Sequence, residues 1–319
     1  MLFSFDIKNK NGFDTFILKD NIAQTKVEII PACGGILHGF SVVSGGKYLN
    51  LIQQYENAGD FKLNVEKKGF KSCKLSPFAC RVNNAKYTFE HQKYKFNKFM
   101  LGDNALHGLL YDANFSVVNH TANNDFAGIE LLHQYRAADK GYPFNYDCKI
   151  GYYLKKDNRL IIETTICNMD KKNIPVQDGW HPYFTFDKPI DKLQLQIKTV
   201  HKVELDASLI PSGKTTAYNE FENLRDINNT IFDDCFMVKF EADHPVCILK
   251  DPAQNVQVEI YPDETYPYLQ LFTPNDRTGI AIENLSAIPD AFNNEIGLIT
   301  LAPQKSKKFT TTYKITLLK

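Results

Sequence analysis

His181 lies in the run Gln177-Asp178-Gly179-Trp180-His181-Pro182-Tyr183-Phe184-Thr185-Phe186, which holds the only tryptophan of the chain. Imidazole is the side chain whose ordinary titration falls near neutrality, so it can give or take a proton there. Concentrating this much apolar area around one titratable ring reads as the rim and floor of a small-molecule pocket, with His181 as a working group. A core histidine beside a buried tryptophan is the alternative, because aromatic packing alone explains such a cluster. A second candidate is Glu283, which closes the apolar stretch Ile280-Ala281-Ile282-Glu283-Asn284-Leu285. A carboxylate in a buried strand is costly unless it is hydrogen-bonded or neutral, so Glu283 reads as either a catalytic group or half of a structural ion pair. A histidine and a glutamate together can perform general acid–base catalysis without a metal or cofactor.

Five further positions carry polar chemistry in apolar surroundings. Arg81 precedes Val82-Asn83-Asn84 and is either a surface salt-bridge partner or a donor fork aimed into a cleft. His107 sits in Asn104-Ala105-Leu106-His107-Gly108, a tight loop that can aim an imidazole but also suits an ordinary loop histidine. Asp233 and Asp234 stand between aromatics in Ile231-Phe232-Asp233-Asp234-Cys235-Phe236, where aspartate is also a normal turn former. His38, after the Gly34-Gly35 pair, reads as a satisfied structural histidine.

The elements that must position these groups are strands. Short β-patterned segments are expected at residues 13–18, 26–30, 115–118, 128–134, 146–154 and 160–167, and again at 193–200, 246–250, 256–261, 268–273, 279–283 and 308–317. Turn residues separate them at short intervals, and no long amphipathic helix interrupts the series. That pattern predicts an all-β, antiparallel architecture and not βαβ units. Asn83-Asn84 is expected to be a hairpin tip, and residues 50–70 a polar helical or irregular insertion. With no low-complexity linker and no fixed-period repeat, residues 1–319 are expected to form one domain.

Composition narrows the partners. The 319 residues carry no net formal charge and 43% hydrophobic side chains, enough for a sizeable core and without the basic patch that nucleic acid or an anionic membrane would require. The N-terminal residues turn polar too soon for a signal peptide, and no apolar run reaches transmembrane length. Seven dispersed cysteines form no zinc-type pairs, so reduced core thiols and a cytoplasmic location are expected. Gly-rich phosphate loops, zinc-protease signatures and nucleophile elbows are absent from the sequence. An all-β frame with histidines, an arginine, carboxylates and aromatics suits a carbohydrate, whose hydroxyls need polar partners and whose C–H faces need flat apolar surface.

The ordered set Arg81–Tyr87, Asn104–Gly108, Gly179–Phe184, Asp233–Phe236, and Ile282-Glu283 followed by Asp290-Ala291-Phe292-Asn293 resembles the aldose 1-epimerase (galactose mutarotase) family. Each motif is short, and their order and separation make the match specific. The resemblance implies a large antiparallel β-sandwich with few short helices, an open cleft, no cofactor and no metal. It implies that Glu283 is the general base and His181 the general acid. Arg81 and His107 would hold the sugar, and Asp233, the first residue of the Asp-x-x-Phe pattern, would bind a pair of hydroxyls. The implied partner is a small sugar, a hexose such as galactose or glucose, with neither nucleic acid nor membrane. Two departures stand out: Leu109-Leu110 follow the His-Gly step in place of a frequent second glycine, and Pro303-Gln304-Lys305 replaces a frequent Pro-Gly-Glu turn. No local arginine cluster marks a phosphate site, which favours an unphosphorylated sugar. A non-catalytic sugar-binding or sensor protein and a glycoside-cleaving enzyme using Asp233 and Glu283 are the competing readings.

Overall fold

Apolar side chains recur at every second residue along most of the strands, and this period of two is what lets two sheets close over a common interior. In the computed structural model, which describes residues 1–318, two large antiparallel sheets carry the architecture. The first runs Ser116–Ala122, Phe126–Arg136, Asn145–Lys155, Arg159–Asn168, Ser306–Leu317, Val256–Pro262, Cys247–Asp251, Gln194–Ile197 and Arg225–Asp226. The second runs Pro211–Ala217, Thr199–Leu205, Asp233–Val238, Tyr268–Phe272, Ile280–Leu285, Gly179–Trp180 and Lys74–Leu75, with Tyr183–Phe184 also on Ile280–Leu285. A separate antiparallel sheet uses the N-terminal strands Phe3–Lys10, Phe13–Asp20, Thr25–Ile30, Ile36–Ser44 and Lys47–Asn50.

The interior between the two large sheets is fastened by specific pairs. Trp180 packs edge-on against Tyr152, with ring centroids 5.9 Å apart, and its indole N–H donates to Thr164 Oγ1 at 3.2 Å. Phe184 meets Tyr313 at 5.4 Å. The hydroxyls of Thr311 and Tyr313 both donate to Asn284 Oδ1 at 3.1 Å, so the side-chain oxygen of a buried strand residue is held from the opposite sheet. Full burial of an aromatic such as Trp180 or Phe184 contributes about 1.5–3 kcal/mol each.

The expected strands are present, with some changes of extent. Residues 193–200 divide between two strands, Gln194–Ile197 in the first sheet and Thr199–Leu205 in the second. Residues 50–70 do hold a helix, Ala58–Asn64, whose first turn is capped by the Asn57 side chain accepting from the Asp60 N–H. Asn83-Asn84 is not a hairpin tip. The strand Arg81–Val82 pairs with Asn104–Leu106, while Lys86–Phe89 pairs with Gln92–Lys95. A tight turn over Asn83–Ala85, with φ of +52° at Asn84 and +56° at Ala85, swings the chain between these partners. Asp290 Oδ1 accepts from the Asn83 N–H and Asn104 Oδ1 from the Asn84 N–H, so side chains hold the turn where a ladder would otherwise be. All seven cysteines are free, and five are buried, as expected of core thiols. Among the described residues, no helix is long and apolar enough to cross a membrane.

Candidate active site

Three adjacent strands of the second sheet, Asp233–Val238, Tyr268–Phe272 and Ile280–Leu285, set one face of a cleft. Directly opposed residues in an antiparallel ladder share a face. Cys235 opposes Gln270, and Gln270 opposes Glu283, so Gln270 and Glu283 point the same way. Asp233 lies two residues from Cys235 and joins that face. The alternate residues Phe236, Leu271 and Ile282 enter the core. Glu283 is therefore mid-strand, the fourth residue of six, and not at a strand end.

His181 reaches the same place through strand register. Trp180 pairs with Asn284 and Tyr183 with Ala281, so the two short strands flanking His181-Pro182 share one register along Ile280–Leu285. The intervening residues face Glu283 and Ile282. Backbone bonds fix the segment on both sides: the His181 N–H donates to the Cys73 carbonyl, the Ser72 N–H to the His181 carbonyl and the Ile282 N–H to the Pro182 carbonyl. His181 Nε2 then lies 3.2 Å from Glu283 Oε1. Trp180 and Phe184 are in the core, and Tyr183 faces the cleft with its ring stacked on His181 at 5.1 Å.

His107 completes the floor. Its backbone is left-handed, φ +59°, and Gly108 follows at φ +78°. A Cβ on Gly108 would lie 2.4 Å from the Ser76 carbonyl oxygen and 2.8 Å from that of Phe78, so the His-Gly step exists because only glycine fits. The turn aims the His107 ring edge-on at His181, with centroids 4.8 Å apart, and Phe70 supports it from another side at 4.8 Å. Arg81, at the end of its short strand, lines the cleft half-buried. Asp233 also lines it, and the Gln270 amide donates to Asp233 Oδ1 at 3.0 Å. Asp234 points away and pairs with Lys202 at 2.6 Å.

The electrostatics follow from dryness. Burial drives the His181 imidazole down to about 4 and His107 well below the usual histidine range, with His181 and Arg81 adding repulsion at His107. Burial also pushes Glu283 well above the usual carboxylate range; the Asp233 charge adds to this and the Arg81 guanidinium opposes it. Asp233 is raised by burial, with Arg81 pulling the other way. Four buried polar atoms here, His107 Nδ1, His181 Nδ1, Glu283 Oε2 and Gln270 Oε1, have no protein hydrogen-bond partner among the described residues. Buried polar atoms are rarely left so, and a concentration of them in one cleft suits a ligand rich in hydroxyls. His107, His181 and Glu283 also offer ligand atoms within 4.8 Å of one another, the donor types a divalent ion takes, although zinc bonds of about 2.0–2.2 Å would require the three to close in.

All five residues expected at the site, Arg81, His107, His181, Asp233 and Glu283, meet in one cleft of about 720 Å³. Gln270 is the group that sequence reasoning missed, and its signal was present: an amide inside the apolar strand Tyr-Leu-Gln-Leu-Phe. His38 is structural, buried against Phe13 and hydrogen-bonded to the Tyr55 backbone. The insertion at 50–70 does reach the cleft, with Glu66, Lys67, Lys68 and Gly69 on its rim. Arg136, Arg225 and Arg277 are committed elsewhere, to Asp147, Glu220 and Asp191.

Known proteins share both sequence and shape with this chain. A maltose epimerase of Levilactobacillus brevis is 25% identical over 339 aligned positions, covering 97% of this chain and 96% of that protein. An aldose 1-epimerase of Streptococcus thermophilus is 26% identical over 298 positions, covering 82% and 83%. Among solved structures, a galactose mutarotase-like protein from Clostridium acetobutylicum superposes with a TM-score of 0.86 at 18% identity, covering 99% of this chain and 98% of the other. A galactose 1-epimerase from Lactobacillus acidophilus superposes with a TM-score of 0.81 at 18% identity, covering 99% of both. The sequence model of the family described as aldose 1-epimerase matches residues 15–314, and the chain belongs to that family of isomerases.

Proposed function

We propose that this protein interconverts the α and β anomers of an unphosphorylated aldose, a hexose such as galactose or glucose, in a single domain spanning residues 1–319. The observation that carries the reading is the 3.2 Å approach of His181 Nε2 to Glu283 Oε1 on the buried floor of a cleft rich in unpartnered polar atoms. A cyclic aldose is a hemiacetal. Opening it requires loss of the proton on the anomeric hydroxyl and gain of one at the ring oxygen. Two fixed groups acting together supply both transfers, and general acid–base catalysis typically contributes ~10²–10⁴-fold.

In this scheme Glu283 takes the hydroxyl proton while His181 delivers one to the ring oxygen. The aldehyde turns about its bond to the neighbouring carbon, and closure on the other carbonyl face runs both transfers backwards. The pair needs one proton in total. In the dry site that proton rests as a neutral acid beside a neutral imidazole, or moves across the 3.2 Å gap to give carboxylate and imidazolium, the form poised for opening. Arg81 favours the carboxylate by its charge. Arg81, His107 and Asp233 hold hydroxyls, and Tyr183 presents a flat face beside His181.

An uncharged sugar fits the cations nearby. Lys68 is engaged by Asp60 at 2.7 Å, Lys71 is half-buried with its ammonium pulled down by burial and by Lys68, and Glu66 and Asp276 share the rim. These groups do not form the convergent guanidinium fork that a phosphate rewards. The test is polarimetric. Freshly dissolved α-galactose or α-glucose should reach its unchanged final rotation faster with the protein present. Calorimetric binding without acceleration would establish a sensor instead, and release of reducing ends from a disaccharide would establish a glycosidase.

A further inference from the structure

We infer that His107, His181 and Glu283 form a zinc site on the floor of the cleft, and that one zinc ion held there switches the isomerase off. The binding half of the inference stands on geometry, and the switching half rests on the anomer-interconversion reading. Two imidazoles and one carboxylate are a donor set that zinc takes in tetrahedral geometry, with the fourth position left to water or substrate. Each of the three residues offers a ligand atom within 4.8 Å of the others, and all three are buried. Two donors of a tetrahedral zinc with bonds of about 2.0–2.2 Å stand about 3.3–3.6 Å apart. His181 Nε2 and Glu283 Oε1, at 3.2 Å, already lie near that spacing. His107 is then the donor that must approach, by about 1.5 Å at most.

The local packing permits that approach. His107 Nδ1, His181 Nδ1 and Glu283 Oε2 have no protein hydrogen-bond partner among the described residues, so ligation breaks no bond at these atoms. Buried polar atoms left unpaired are costly, and ligation relieves that cost. The His107 ring meets His181 and Phe70 edge-on and borders the open cleft, which leaves it room to turn toward Glu283. Of the charged groups that act on Glu283, Arg81 opposes a dication and Asp233 favours one. Zinc and sugar chemistry exclude each other at this floor. The ion takes the carboxylate lone pair that would accept the anomeric proton and the imidazole nitrogen that would deliver one. Magnesium, which prefers six oxygen ligands, does not suit two imidazoles.

The experiment titrates chelator-treated protein with zinc sulfate in a calorimeter and follows galactose anomerisation in the same samples. Zinc should bind at one strong site per chain, slow anomerisation by about tenfold or more at saturation, and release the enzyme when chelator is added back. Magnesium sulfate should do neither. Cobalt in place of zinc should give the intense visible absorption of a tetrahedral ion. Glu283→Gln and His107→Asn should each weaken zinc binding by about tenfold or more, at least the loss that altered support of a ligand brings. Asparagine tolerates the left-handed backbone at residue 107, where φ is +59°, so the turn survives the second substitution. His244→Gln, at an exposed histidine outside the cleft, should leave zinc affinity within about twofold. Zinc binding that survives both ligand variants, or no strong binding at all, overturns the site and leaves the isomerase reading standing. Undiminished anomerisation with the strong site filled overturns the switch. If the metal-free protein accelerates no sugar, the isomerase reading falls, and calorimetry with the cobalt spectrum decides the metal site alone.

Discussion

His181 Nε2 and Glu283 Oε1 face each other across 3.2 Å, at the step where the chain between two short strands runs antiparallel beside the strand that carries Glu283. Both side chains are almost fully buried, at 4% and 2% exposure, so either charge is costly unless the other is present. Neutral replacements of similar shape should remove the chemistry with little change in packing. Glu283→Gln and His181→Asn are each expected to lose about 10²–10⁴-fold of the anomerisation rate, the range for a single acid–base group. Thermal melting of the variants, measured alongside polarimetry, separates lost catalysis from lost folding. Near-wild-type rates in a folded Glu283→Gln would rule Glu283 out as the base.

The pH profile follows from the one-proton requirement. With the His181 imidazole pushed down to about 4, the pair gains a second proton only in acid, so kcat/KM should fall as pH drops through about 4. The pair loses its last proton on the alkaline side, because the Glu283 carboxyl is raised well above its ordinary range. A broad bell is expected, centred above the acid limb. An acid limb centred on the ordinary histidine value, about 6.5, would contradict the desolvated site.

Arg81 should shift that bell. Its guanidinium pulls the Glu283 carboxyl down against burial and the Asp233 charge. Removing the positive charge leaves the carboxyl higher still, so Arg81→Met is expected to move the alkaline limb to higher pH. The same variant loses the fork that holds hydroxyls, so KM should rise. Arg81→Lys keeps the charge and loses the planar fork; it should restore the limb and not the KM.

Gly108 tests how His107 is aimed. A methyl group there would meet the Ser76 carbonyl oxygen at 2.4 Å at a φ of +78°. Gly108→Ala is expected to cost about 1–3 kcal/mol in chemical denaturation, the usual scale for forced backbone strain, and to raise KM through displacement of His107.

The buried Lys74–Asp178 ion pair bears on stability. Lys74 Nζ sits 2.5 Å from Asp178 Oδ1, with both side chains at 0% exposure, and also donates to the Gly179 carbonyl at 2.8 Å. Tyr266 donates to the same Asp178 oxygen at 2.6 Å. Lys74→Met alone leaves a buried carboxylate without its counter-charge and should cost about 3–5 kcal/mol. Lys74→Met with Asp178→Leu should recover much of that loss in urea unfolding.

Much of this molecule is legible in the amino-acid sequence. Alternating apolar residues and closely spaced turn formers dictate antiparallel strands, because a period of two has no other stable burial. The chemistry-bearing side chains are also legible one by one, since a glutamate in Ile-Ala-Ile-Glu-Asn-Leu or a histidine between Trp180 and Pro182 is costly or conspicuous on local grounds alone. Tertiary structure decided which of them meet. Asp233 and Asp234 are neighbours of the same type, and only the face of their strand sends one to the cleft and the other to Lys202. Trp180 and Tyr183 share one aromatic run, and sheet pairing sends the first to the core and the second to the cleft. Asn83-Asn84 has the composition of a hairpin tip, yet distant Asp290 and neighbouring Asn104 capture its backbone and redirect the chain. Gln270 became part of the site only because register sets it opposite Glu283. Local sequence specifies which backbone period and which side chain occur at a position. Register, strand order and the closing of one sheet on another are long-range properties, and they determined that five separated residues share one floor.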